Sequence, residues 1–329
     1  MLSDLQPASG GPLCAIDLDG VLESTPLGIS ATNLDGVRSL RALHKHGYRP
    51  VIATGRSLAE VRQRCVDYRA AGGVAEYGAA IYVTAKDAAH ELLTADERRS
   101  LDSVRSTLEG VPGVVIDRSY RLAVRAYRLD HAGRRRALSE DQVQGTLAAA
   151  TDRRIRSIQG QAQTDFMVEQ VTKATGLKAL AEQLGVGVTH RPPLVMAVGD
   201  TASDLPMLRL ATYAFAPSNA DEEVREAEIT VLRRACQAGL AEATGRLLGH
   251  KPGRCPTCRD PKLAARSRLL LSVLSPPDHG SLTAKATWAA AVMARLTWHL
   301  GISHFRQQGG QGGAAERRPG ARRGRRLPR

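Results

Sequence analysis

Three short apolar runs constrain this chain more than any other feature, because each one stops on a polar residue. Leu13-Cys14-Ala15-Ile16 ends in Asp17-Leu18-Asp19-Gly20. Pro50-Val51-Ile52-Ala53 ends in Thr54-Gly55-Arg56-Ser57, and Leu194-Val195-Met196-Ala197-Val198 ends in Gly199-Asp200. Continuous apolar runs of this length suit strands buried on both faces, as in parallel sheets covered by helices. Helical patterns lie between them. Asn33 or Thr32 is placed to cap a helix carrying Leu34, Val37, Leu40 and Leu43, which Gly47 stops, and further helices are expected to about Arg69 and over 175–184. Strand–helix–strand repeats with few residues between them predict βαβ units, hence a doubly wound α/β fold with a parallel, Rossmann-like sheet.

The middle of the chain breaks that rhythm. Residues 121–128, Arg-Leu-Ala-Val-Arg-Ala-Tyr-Arg, alternate polar and apolar, the mark of a half-solvated antiparallel strand. The expected organisation is a core from 1–83 and 167–245, an inserted α+β domain over 84–166, a C-terminal helical appendage over 246–306, and an Arg-rich tail over 307–329.

Charge bears on partners. Lys+Arg number 46 and Asp+Glu 33, a net charge of +13, with seven lysines against 39 arginines. Residues 307–329 hold seven Arg and one Glu, so the tail carries +6 of the total. Such a tail has too little apolar surface to order itself, and without interleaved aromatics it lacks the means for specific nucleic-acid recognition. An arginine bias of the coding genome explains much of the excess as well as a polyanion partner does. Hydrophobic residues at 43% exclude wholesale disorder. The longest apolar stretch, 284–300, is interrupted by Lys285 and Arg295 and is short for a membrane span. No signal peptide is evident, and five scattered cysteines do not form a disulfide framework, so a cytoplasmic protein is expected.

Ligands of doubly wound sheets bind at the carboxyl ends of the strands. Asp17, Asp19, Thr54, Asp200 and Asp204 would gather there, and that many carboxylates repel one another unless a hard cation with oxygen ligands, best Mg²⁺, lies among them. Two acids two residues apart share one face of a strand, so one can attack while the other handles a proton. Thr54 offers a hydroxyl to a phosphate oxygen, Gly55 a closely approaching amide, and Lys173, just before a helix, a neutralising cation. Arg56 could contact phosphate or pair with a carboxylate.

With these residues in order, the sequence resembles the haloacid-dehalogenase superfamily of phosphohydrolases, in its Cof-type, sugar-phosphatase-like branch. Its four motifs read Ile16-Asp17-Leu18-Asp19-Gly20-Val21, Thr54-Gly55-Arg56, Lys173-Ala174-Thr175-Gly176-Leu177 and Gly199-Asp200-Thr201-Ala202-Ser203-Asp204, with Ser218-Asn219-Ala220 after a further strand. The resemblance covers about residues 10–245. The long interval from Thr54 to Lys173 corresponds to the C2 cap of that family. The resemblance implies Asp17 as nucleophile through an aspartyl-phosphate, Asp19 as acid and base, and Thr54, Gly20, Gly55, Arg56 and Asn219 around the phosphate. It also implies Lys173 as charge balance, and Mg²⁺ on Asp17, the Asp19 carbonyl, Asp200 and Asp204. A phosphatase for a small phosphorylated metabolite, a sugar phosphate or phosphoglycolate-like acid, is therefore expected. A phosphomutase, or a scaffold acting through the C-terminal segment, is the contrasting reading. Ser203 stands where many relatives have Asn, which touches substrate positioning.

Substrate specificity is expected from the insertion, where Arg118, Arg121, Arg125, Arg128 and Arg134-Arg135-Arg136 could bind a second anionic group or simply form a solvated face. Cys236, His250, Cys255 and Cys258, with His279 as an alternative, form a candidate structural Zn²⁺ set. A redox pair or free thiols fit the same residues. The C-terminal helices over 261–274 and 282–300 could pair with each other or form a homodimer.

Overall fold

The computed structural model describes residues 1–5, 10–25, 30–150, 154–160, 162–186 and 194–262, together with positions 264, 267, 290, 293 and 294. The expected C-terminal helices, His279, the homodimer face and the tail lie outside these residues, apart from those isolated positions. Contacts divide the chain into one unit over Met1–Ala264 and a second over Ala265–Arg329. No helix among the described residues is long and apolar enough to cross a membrane.

The main sheet has eight strands. In chain order they are β1 (Leu13–Ile16), β2 (Arg49–Ala53), β3 (Gly72–Ala75), β4 (Ala80–Val83), β5 (Ala88–Glu91), then β11 (Leu194–Val198), β12 (Ala211–Ala216) and β13 (Thr230–Val231). Their spatial order is β13-β12-β11-β1-β2-β3-β4-β5. The first six in that order run parallel, and the crossovers place helices on both faces. Side-chain alternation does the rest. Cys14 and Ile16 join the apolar layer that holds Leu40, Leu43, Val61 and Leu240, while Leu13 and Ala15 join the layer of Leu177, Leu180 and Leu208. The helices of the first layer are α1 (Leu34–Lys45), α2 (Leu58–Tyr68) and α8 (Cys236–Leu248); α5 (Lys173–Gln183) and the short α6 (Leu205–Leu208) and α7 (Glu222–Glu226) lie in the second. Asn33 caps α1, accepting from the amides of Asp35 and Gly36 at 2.9 and 3.2 Å.

The sheet is not parallel throughout. β3-β4 and β4-β5 are antiparallel, because the links over 76–79 and 84–87 are far shorter than the dozen residues a parallel crossover needs. β5 alternates half-buried and exposed residues as an edge strand does. The main sheet therefore extends to Glu91, beyond the expected boundary at 83.

Between β5 and α5 lies a second sheet, ordered β6-β7-β10-β9 and wholly antiparallel: β6 (Val114–Ile116), β7 (Val124–Leu129), β9 (Ile155–Gln159) and β10 (Thr164–Val168), with β8 (Arg135–Arg136) added to β7. Helices α3 (Ala95–Glu109) and α4 (Glu140–Ala149) pack against it. The insertion thus runs to Val168 rather than 166. β7 starts at Val124 instead of 121, because the carboxylate of Glu76 draws in the amides of Arg121, Leu122 and Ala123 at 3.1, 2.7 and 2.8 Å. The expected appendage also begins late. Residues 250–260 pack on α1, where Arg38 pairs with Asp260 at 2.5 Å and Arg41 Nε donates to the Arg259 carbonyl at 3.3 Å.

Candidate active site

The polar strand ends converge as the strand pattern requires. The Asp17 amide continues the β1–β11 ladder, donating to the Val198 carbonyl at 3.0 Å, and this fixes the side chain at the carboxyl end of the central strand β1. Lys173 Nζ then bridges two buried carboxylates, donating to Asp17 Oδ1 at 2.7 Å and Asp204 Oδ1 at 2.6 Å. Lys173 is the first residue of α5, where a cation opposes the helix dipole. The two carboxylates hold it there. Asp204 Oδ2 is used as fully as its Oδ1: it accepts from the amides of Asp200 and Thr201 at 3.1 and 3.0 Å and from Thr201 Oγ1 at 3.1 Å.

Asp200 differs. Its Oδ2 accepts from Asn219 Nδ2 at 2.9 Å, but its Oδ1 is buried with no partner among the described residues. Such an orphan is costly unless something else meets it. Burial, with Lys173 opposing and Asp204 adding to it, pushes the Asp17 pKa up to about 7. Burial together with Asp17 and Asp204 takes that of Asp200 to about 9. Ligand atoms of Asp17, Asp200 and Asp204 lie within 4.8 Å of one another. An orphaned oxygen amid crowded carboxylates suits a hard divalent cation.

Two glycines allow the close approach. Gly20 has φ +80° and a Cβ there would overlap Asp200 Oδ2; its carbonyl accepts from Asn219 Nδ2 at 3.1 Å. Gly55 lies under the Tyr77 ring, where a Cβ would collide. Thr54 is buried beside it, and its Oγ1 accepts from the Arg56 amide at 3.2 Å.

Asp19 stands apart from the buried cluster, with its side chain 61% exposed. Arg56 grips it through two bonds, Nε–Oδ2 at 2.9 Å and Nη2–Oδ1 at 2.5 Å. The same guanidinium pairs with the fully buried Glu23 at 2.9 Å, and Glu23 also takes Arg64 at 2.6 Å, Tyr68 and Ser30. Of the two roles open to Arg56, the structure shows carboxylate pairing. Its donors face Asp19, Glu23 and Ser30 rather than standing free for phosphate. Glu23, Arg64 and Tyr68 carried no motif, and only the fold reveals them as supports of Asp19.

Asp17, Asp19, Thr54, Gly55, Arg56, Tyr77 and Lys173 border one cleft of about 1180 Å³, bounded on the far side by the insertion, which contributes Arg125, Arg156, Ser157, Gln159 and Gln163. Among the arginines singled out there, Arg125 is neutralised by Asp165, at 2.6 and 2.7 Å, and Tyr77 donates to the same carboxylate at 2.6 Å. Arg134 and Arg136 pair with Asp130, and Arg135 with Asp117. Arg156, on β9, was not singled out. Its Nε is buried at the cleft without a partner among the described residues. Desolvation pulls its pKa below the usual arginine value, and Tyr77 and Glu169 oppose that only in part.

The family profile of haloacid dehalogenase-like hydrolases matches residues 136–243, a span that contains Lys173, Asp200 and Asp204. Two curated relatives match over most of their length. The phosphoglycolate phosphatase of Methanothermobacter thermautotrophicus is 26% identical across 71% of this chain and 98% of its own. That of Nitrosopumilus maritimus is 28% identical across 71% and 94%. Among solved structures, a haloalkanoate-superfamily phosphatase from Bacteroides thetaiotaomicron superposes with a TM-score of 0.53 at 21% identity, covering 75% of this chain and 99% of that one. The chain is thus similar to the haloacid-dehalogenase superfamily of phosphohydrolases in sequence and in fold.

A second cluster of this phosphohydrolase corrects the expected metal set. His250, Cys255 and Cys258 come together, and the fourth member is His46 from the end of α1, not Cys236. Cys236 opens α8, and its amide donates to Asn219 Oδ1 at 2.8 Å. The length of α8, about 18 Å at 1.5 Å per residue, separates it from the group.

Proposed function

We propose that this haloacid-dehalogenase phosphatase is a Mg²⁺-dependent phosphomonoesterase of the cytoplasm that acts on a small phosphorylated acid. The observation that carries the chemistry is Lys173 bridging Asp17 and Asp204 beside the unpartnered Asp200 Oδ1. None of the five cysteines is in a disulfide, which suits a reducing compartment.

Lys173 takes Asp17 Oδ1, so Oδ2 is the attacking oxygen. It forms a bond to phosphorus as the ester oxygen leaves, and Asp19 supplies that oxygen with a proton. Asp19, now a carboxylate, then takes a proton from water. The water oxygen attacks the phosphorus of the aspartyl-phosphate, which frees Asp17 and inorganic phosphate. Thr54 and the Gly55 amide hold the phosphoryl oxygens. Arg56, anchored on Glu23, keeps Asp19 at the cleft. Asp17, the Asp19 carbonyl and Asp200 would hold Mg²⁺, with Asp204 behind them through the Asp200 amide. When bound, the cation draws charge from the phosphoryl oxygens and offsets the carboxylates.

The inserted sheet acts as a C2 cap, and Arg156 presents at the cleft a buried Nε that has no partner among the described residues. A carboxylate on the phosphorylated substrate is the charge that would match it, and the relatives named phosphoglycolate phosphatase agree with such a substrate.

Phosphate release from p-nitrophenyl phosphate and from 2-phosphoglycolate with Mg²⁺ tests both levels. Asp17→Asn is expected to lower turnover by at least about a thousandfold; equal rates for the variant and the wild type would overturn the catalytic reading. Arg156→Ala is expected to raise KM for 2-phosphoglycolate about ten- to a hundredfold, the worth of one charge-assisted bond, and to leave p-nitrophenyl phosphate unchanged. A parallel rise for both substrates would remove the carboxylate role.

A further inference from the structure

We infer that His46, His250, Cys255 and Cys258 form a closed structural zinc site that ties the segment after α8 to the end of α1. The four donors converge pairwise. His46 Nε2 lies 3.2 Å from His250 Nε2 and 3.3 Å from Cys255 Sγ, and Cys255 Sγ lies 3.3 Å from Cys258 Sγ. Tetrahedral zinc, with bonds of about 2.3 Å to sulfur and 2.0 Å to nitrogen, needs ligand atoms roughly 3.3–3.8 Å apart. The sulfurs are too far apart for a disulfide, whose bond is about 2.05 Å, and neither Cys255 nor Cys258 is in one.

The surroundings are those of metal ligands rather than of idle thiols. The Gly253 amide donates to Cys258 Sγ at 3.3 Å, and the Cys258 amide donates to Cys255 Sγ at 3.4 Å. Amide donors of this kind stabilise thiolate charge. His250 Nδ1 lies 3.2 Å from the Lys251 carbonyl. A carbonyl only accepts, so Nδ1 carries the proton and Nε2 presents a lone pair to the cluster. This is the outer hydrogen bond that orients metal-bound histidines. Two sulfurs and two imidazoles select a borderline-soft ion, whereas the all-oxygen cluster at the cleft selects a hard one.

Four protein ligands leave no open position, so the site holds structure and does not take part in the phosphate chemistry. His46 and Cys255 lie 209 positions apart, and the salt bridge from Arg38 to Asp260 and the bond from Arg41 to Arg259 lie along the same seam. The ion therefore fastens the chain end of this unit onto α1.

Metal analysis of the full chain, purified under reducing conditions without chelator, is expected to give one zinc per chain. Exchange with Co²⁺ is expected to give the visible bands of a tetrahedral centre and the near-ultraviolet charge transfer of thiolate ligation. His46→Ala should weaken zinc binding by at least about tenfold, while Cys236→Ser binds as the wild type does. A wild-type chain that takes up neither metal stoichiometrically overturns the site. So does a Cys236→Ser variant that loses the cobalt spectrum while His46→Ala keeps it. Metal content and the cobalt spectrum of the wild type decide the site's existence, so a variant that fails to fold does not spoil the test.

Discussion

Gly20 shows how one backbone position sets the acidic cluster. Its φ of +80° is open to glycine, and the space a Cβ would need is filled by Asp200 Oδ2. Gly20→Ala is expected to cost about 1–3 kcal/mol, the usual penalty of a side chain forced into such a conformation, and to raise the Mg²⁺ concentration needed for half-maximal turnover. Denaturant unfolding and a Mg²⁺ titration measure the two effects; a variant with wild-type Mg²⁺ dependence would show that Asp200 does not rely on this approach. Asp17, Thr54, Lys173 and Asp200 were legible because each follows or opens an element with a local signature. Arg156 was not. Nothing in the sequence says which arginine of the insertion finds a carboxylate, and the choice between Arg125 and Arg156 rests on Asp165, forty positions beyond Arg125 and on a different strand. His46 escaped for the same reason, since its partners come from a loop at the other end of the unit.

Among elements, the turn between β3 and β4 connects the main sheet to the insertion. Glu76 and Tyr77 both have positive φ, 46° and 61°, strain that persists only where surrounding contacts demand it. Glu76 supplies those contacts through three amides of the insertion. Burial raises its pKa, and the same amides oppose the rise. Tyr77 adds its bond to Asp165. Tyr77→Phe removes a buried bond to a charged group and is expected to cost about 1.5–3 kcal/mol. It should also lower kcat/KM, because the cleft wall that carries Arg125 loses an anchor. Thermal unfolding with steady-state kinetics reads both, and unchanged values would mean that Arg125 alone positions Asp165. The alternating pattern of β7 was readable from sequence, but its start was not, because the Glu76 carboxylate that ends the preceding loop lies 45 positions or more away.

Across the whole molecule, the acidic cluster couples charge to stability, and under the proposed function to metal as well. Without a cation, Asp17 and Asp200 have pKa values of about 7 and about 9, both raised chiefly by burial. In the unfolded chain each returns to about 3.9. Between these limits the folded state binds more protons than the unfolded one, so stability falls as pH rises. The sign is opposite to that of an ordinary salt-bridged carboxylate. The loss begins above about pH 4 and continues until pH passes the higher folded value, about 9. A divalent cation held by these carboxylates favours their charged forms and flattens the slope, while stabilising the fold by mass action. The Tm of metal-free protein is therefore expected to fall between about pH 6 and pH 9, the upper part of that window. Saturating Mg²⁺ should reduce the fall, and Asp200→Asn should reduce it without metal. A metal-free Tm that rises over this range would mean that Lys173 governs the cluster's protonation more strongly than burial does.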